Sequence, residues 1–132
     1  MMNKTTLPTL AAALLRTTVG AHADGYVVGH STVNVGPADV REVFLGNIQF
    51  AGSVKLVPVD NAAVQGDFLT KVIKMDPDRY SSVWTKKSFR DGINAPSVKS
   101  GDVEVLDFVK RTPGAIGYVS TNPGSANVIL KY

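Results

Sequence analysis

The nine residues Thr112-Pro113-Gly114-Ala115-Ile116-Gly117-Tyr118-Val119-Ser120 constrain this chain more than any other stretch. Pro113 has no N–H to continue a helix and its ring clashes with the preceding turn, so a helix must stop before it. Gly114 and Gly117 permit backbone angles or close approaches that a side chain would block. The run from Ala115 to Val119 is apolar and short, as a fully buried strand requires. A helix is therefore expected before Pro113 and a core strand after it.

The preceding segments supply partners for that strand. Tyr26 to Ser31 reads as a first strand, with Val27 and Val28 giving a partly buried run. Asn34 to Pro37 reads as a turn. Pro37 suits the first position of a helix that carries Val40, Val43 and Phe44 on one face and reaches Leu45, with Gly46 as its stop. Asn47 to Ser53 reads as a loop, Val54 to Val59 as a second strand, and Asp60-Asn61 as the turn that ends it.

Val64, Phe68, Val72 and Met75 then recur at helical spacing, widened by Leu69 and Ile73, with Asn61 as the expected N-cap. Asp76-Pro77 starts the next helix, which holds Tyr80, Val83 and Trp84 on one face and breaks at Asp91-Gly92. Ile93 to Lys99 reads as an irregular loop. Ser100 is the expected cap of a last helix with Asp102 and Glu104 at its start and Lys110 and Arg111 at its end, matching the macrodipole. After the Ala115–Val119 strand, a turn-rich link leads to a closing strand, Val128 to Lys131. The order predicts an α/β fold: one lobe in which helices cover a small mixed sheet.

The N-terminus has the pattern of a secretory signal peptide over residues 1–23. Lys4 provides the positive start, Leu7 to Leu15 the apolar core, and Ala21-His22-Ala23 the cleavage site before Asp24. The expectation is an exported chain, periplasmic or secreted, whose folded domain covers residues 24–132. The apolar run is too short to span a bilayer, so no transmembrane segment is expected in the mature chain. Losing Lys4 and Arg16 takes two positive charges from a formal excess of +3, leaving about +1. With no Lys/Arg block and no interleaved aromatics, nucleic acid is not an expected partner.

The chemistry-bearing inventory is small. There is no cysteine, which removes disulfides, thiolate catalysis and Cys-zinc sites. Of two histidines, His22 lies in the signal region and His30 stands alone on a strand. No nucleophile elbow, zincin motif or P-loop is present. Asp76 and Asp78 flank Pro77 where helix capping accounts for them. No catalytic residue, metal site or cofactor is expected. What remains is the turn Asp60-Asn61-Ala62-Ala63, leading from a strand end into a helix N-terminus. The amides and positive dipole end there suit an anion, and the alternative is that Asn61 simply caps the helix.

Several segments together resemble the phosphate-type ABC transporter substrate-binding proteins. Asp39-Val40-Arg41-Glu42-Val43-Phe44-Leu45-Gly46 is similar to their "helix then iFlGk" segment. Lys55-Leu56-Val57-Pro58-Val59-Asp60 followed by Phe68 is similar to an "i-x-p-v-d…F" unit. Tyr80-Ser81-Ser82-Val83-Trp84, then Phe89-Arg90-Asp91-Gly92 with Pro96, and finally Pro113-Gly114-Ala115-Ile116-Gly117-Tyr118-Val119 follow in the same order. The resemblance implies a periplasmic-binding-protein-like fold in its short, single-lobed form, and non-enzymatic binding of phosphate or a related oxyanion for delivery to an ABC permease. The ligand residues it implies are Asn61, Ala62, Ala63, Gln65 and Gly66. The large members carry an arginine and a Ser-Gly-Thr run at this turn, whereas this chain has no Arg, Ser or Thr there, and Asp60 opposes an anion unless it accepts the ligand's proton. A second expectation therefore stands beside the first: an interaction or structural module that kept the lobe, lost the ligand, and binds a protein partner or itself.

Overall fold

The computed structural model describes residues 25–132; the signal-peptide expectation falls on residues outside that range. Five strands form a mixed sheet in the order β5-β4-β6-β1-β7. Strands β4 (Val57–Asn61), β5 (Ser97–Lys99) and β6 (Ala115–Val119) are parallel, while β1 (Tyr26–Gly29) pairs antiparallel with both β6 and β7 (Asn127–Lys131). A separate two-stranded hairpin joins β2 (Phe50–Ala51) to β3 (Val54–Lys55). The mixed α/β fold expected from the order of elements is the one observed. No helix among the described residues is long and apolar enough to cross a membrane.

Strand β6 is buried over its whole length because its alternating side chains enter two cores. Ile116 and Tyr118 pack with Val27, Phe44, Phe68, Tyr80 and Trp84 beneath α1 (Val40–Phe44), α2 (Gln65–Phe68) and α3 (Pro77–Asp91). Ala115 and Val119 face the other way, against Val28, Val59, and the Val105 and Val109 stripe of α4 (Asp102–Arg111). Such alternation follows from the two-residue side-chain period of a strand. In the first core Tyr118 stacks on Phe68 with ring centroids 3.7 Å apart, and Phe44 meets both rings edge-on. Trp84 Nε1 donates to the Phe44 carbonyl at 3.0 Å.

Helix α3 begins and ends as its sequence dictates. The Asp76 side chain accepts from the Arg79 amide at 2.8 Å, Pro77 occupies the first turn, and Gly92 closes the helix at φ 69°. Six expectations are corrected. The Asn47–Ser53 loop contributes β2, and the 54–59 strand is split between β3 and β4. Asp60 and Asn61 form no turn: both belong to β4 and both are buried. Asn61 is not a helix N-cap, since α2 starts after Val64 without a side-chain cap and then widens into π-helical turns over Leu69–Ile73, ending at the left-handed Lys74. The 93–99 loop contains β5, and Gly101 rather than Ser100 is the N-cap of α4. Of the three short strands, β2 and β3 pair with each other in a tight hairpin and β5 pairs with the distant β4, so none is long enough to show a period of its own.

Candidate functional site

Strands β4, β5 and β6 are parallel, so their carboxyl ends lie along one edge of the sheet, where α/β folds place ligands. The predicted turn is at that edge. Asn61 ends β4 with no exposed surface, and its side chain is fully used. Nδ2 donates to Asp102 Oδ1 at 2.8 Å and to the Tyr118 carbonyl at 2.9 Å, and Oδ1 accepts from the Ala63 amide at 3.1 Å. The Ala62 amide donates to the Lys99 carbonyl at 2.8 Å and the Val64 amide to the Asn61 carbonyl at 3.2 Å. Of the donors the sequence offered for an anion, those of Asn61, Ala62 and Ala63 are therefore engaged within the protein.

Gln65 and Gly66 differ. They open the helical segment, where first-turn amides have no intrahelical partner, and the space beside the Gly66 α-carbon is empty. The Gln65 side chain, however, sits beside the buried Asp60 carboxylate and lowers its pKa.

Asp60 is the centre of this region. Its Oδ2 accepts from Tyr80 Oη at 3.0 Å and its Oδ1 from Tyr118 Oη at 2.8 Å. Burial raises its pKa above the ordinary carboxylate value, against the lowering effect of the bonds from Tyr118 and Tyr80 and of the neighbouring Gln65 side chain. Burial and the Asp60 charge push both tyrosines upward, so they remain donors. The arrangement is a satisfied carboxylate clamp between β4, β6 and α3.

Above Asp60 lies a groove of about 720 Å³ between α3 and the β5 edge. Gln65, Tyr80 and Trp84 line it, and Phe89 (94 % exposed) and Val98 (58 % exposed) stand among its walls. No Lys, Arg or His lines it. A low-dielectric cleft with one carboxylate and no cation disfavours an anion and suits an apolar or neutral group. The cations of α3 lie elsewhere. Lys87 Nζ donates to the Leu45 carbonyl at 2.7 Å and to Asn47 Oδ1, and Arg90 pairs with Asp91 at 2.9 Å. Among the described residues no three His, Cys, Asp or Glu side chains gather as metal ligands would.

Sequence reading missed one cluster at the same edge. The Asp102 carboxylate accepts from Ser120 N and Oγ, Thr121 N and Oγ1, and Asn61 Nδ2, all between 2.8 and 3.1 Å. Burial alone would raise its pKa, but the bonds from Ser120, Asn61 and Thr121 outweigh burial and hold it below the ordinary value. The available signal was an acidic residue opening a helix together with adjacent hydroxyl residues ending a core strand. No family model matches the chain, and no curated protein matches it, so the family resemblance rests on the ordered motifs alone.

Proposed function

We propose that the chain is a non-catalytic, exported binding module built on a single solute-binding-protein-like lobe, and that it holds a protein partner or a second copy of itself rather than a small anion. The observation that carries this reading is the engagement of the strand-end donors. Ala62, Ala63 and Val64 amides and the Asn61 side chain all bond within the fold, and Asp60 beneath them is anionic when ionised. An oxyanion arriving there would have to displace bonds worth about 1 kcal/mol each and would face that carboxylate. The cation-free groove with Phe89 and Val98 in its walls offers apolar surface of the kind a protein interface buries.

The reading that the family resemblance implies, capture of phosphate or a related oxyanion for an ABC permease, keeps one supporting observation: Gln65 and Gly66 open a helical segment, and the space beside the Gly66 α-carbon is empty. Calorimetric titration of the protein with inorganic phosphate, at low and moderate salt, separates the two. The interaction reading expects no saturable heat up to millimolar phosphate. A dissociation constant in the micromolar range or below would overturn it in favour of uptake.

A further inference from the structure

We propose that the carboxyl edge of the sheet holds a self-occupied oxyanion cradle, formed by Asn61, Ser120 and Thr121 and filled by the chain's own Asp102 carboxylate, which accepts a free small oxyanion once that carboxylate is withdrawn. The cradle is distinct from the Ala62–Gly66 turn and from the Phe89 groove, and it does not depend on either reading of them.

Three features converge. First, five neutral donors meet one carboxylate: Ser120 N reaches both oxygens at 3.1 Å, Ser120 Oγ and Thr121 Oγ1 reach Oδ2 at 2.9 and 3.0 Å, Thr121 N reaches Oδ2 at 3.1 Å, and Asn61 Nδ2 reaches Oδ1 at 2.8 Å. Consecutive backbone amides supplemented by hydroxyls are the donor set with which proteins hold phosphate and carboxylate ligands. Second, the donors belong to the ends of β4 and β6, not to the first turn of α4. Asn61 is fully buried and anchored through its second Nδ2 bond to the Tyr118 carbonyl, so the cradle's floor stays in place when Asp102 is shortened. Third, the site is reachable, since Ser120 and Thr121 are exposed and Asp102 is half-buried. It lies beyond adjacent parallel strands, the crevice in which such sheets bind ligands. The carboxylate is thus an internal ligand, and in the wild-type chain it excludes an external one by occupancy and by charge.

The test is chemical rescue of Asp102→Ala in the full chain. Thermal melts are compared in sodium chloride, sodium formate and sodium phosphate at matched ionic strength. In chloride the variant melts below wild type. In formate at several times its dissociation constant the variant's midpoint rises by roughly 4–8 °C and saturates, while wild type shows no saturable rise. Adding Ser120→Ala and Thr121→Val abolishes the rescue, and Asp102→Asn, which keeps the cradle filled, is not rescued. If the variant is unfolded in chloride, recovery of its circular dichroism on adding formate or phosphate reads the same event. The proposal is overturned if Asp102→Ala behaves alike in all three salts, or if rescue survives loss of the Ser120 and Thr121 hydroxyls. Phosphate binding by wild type that ignores the Ser120 and Thr121 substitutions would instead count against the interaction reading and leave the cradle standing.

Discussion

Gly117 marks where α4 presses closest to the sheet, and replacing it tests the packing logic of the whole lobe. A Cβ added there would lie 2.7 Å from Val105 Cγ1 on α4 and 3.0 Å from Val59 Cγ2 on β4, and both valines are fully buried. In an open strand Gly→Ala stabilises by about 0.5–1 kcal/mol because glycine loses more freedom on folding. Here the methyl has no room, and overpacking a tight core costs about 1–3 kcal/mol. The expected result is therefore a change of sign: Gly117→Ala is destabilised, with a midpoint lowered by about 4–8 °C for each kcal/mol. Val105→Ala alone loses two buried methyls, about 2 kcal/mol with its cavity. In the double variant the cavity accepts the new methyl, so the pair should be more stable than the sum of the singles by about 0.5–2 kcal/mol, within the range seen for contacting residues. Denaturant unfolding of the four proteins measures this cycle. Stability of Gly117→Ala at or above wild type, or additivity of the two substitutions, would refute the claim that α4 is seated by the absence of a side chain at 117.

Two further outcomes rest on named contacts. Asp60, raised above its ordinary value of 3.8 by burial, binds its proton more tightly in the folded than in the unfolded chain. Its contribution therefore falls as pH rises from 3.8 through the folded pKa, whereas the lowered pKa of Asp102 contributes stability that is lost as pH falls below its ordinary range. Urea unfolding across pH should show the decline above 3.8 flattened in Asp60→Asn, and an unchanged slope would assign it to other groups. Gly114 sits at φ 83° with the Lys55 carbonyl oxygen 2.1 Å from where a Cβ would be. Gly114→Ala should cost about 3 kcal/mol or more through combined backbone strain and clash, read as loss of the cooperative melt, and a variant within 1 kcal/mol of wild type would contradict that geometry.

How much of this was readable depends on how local the cause is. Pro113 and Gly114 stop α4 and turn the chain, and the apolar run behind them becomes β6, because these effects act within a few residues. Asp76-Pro77 and Gly92 bound α3 for the same reason. Strands β2, β3 and β5 carry two or three residues each, too few to display a period; β2 and β3 pair only with each other across a tight turn, and β5 pairs with β4 far along the chain. Asp60-Asn61 has the composition of a turn, yet it is core, because Tyr80, Tyr118 and Asp102 supply partners 20 to 58 residues away. A polar pair reads as solvent-exposed until its distant partners are known. The same point applies at the candidate site: the 61–66 segment lies at the sheet's carboxyl edge, and the donors of Asn61, Ala62 and Ala63 are engaged within the fold, whereas Gln65 and Gly66 open a helix.

That engagement separates two uses of one architecture. A ligand site at the ends of parallel strands must leave donors unsatisfied in the empty state, which costs folding free energy of about 1–3 kcal/mol for each buried group. Along this edge the cost is removed group by group: Ala62 N finds Lys99 O, Asn61 finds Asp102 and the Tyr118 carbonyl, and Ser120 and Thr121 find Asp102. The chain has no disulfide to offset empty donors, and a single small lobe has a modest core. Filling the edge from within gains the stability that a ligand or a second lobe would otherwise supply. Because one carboxylate closes the Asn61–Ser120–Thr121 cradle, the distance between a self-sufficient lobe and an anion-dependent one is a single side chain, Asp102.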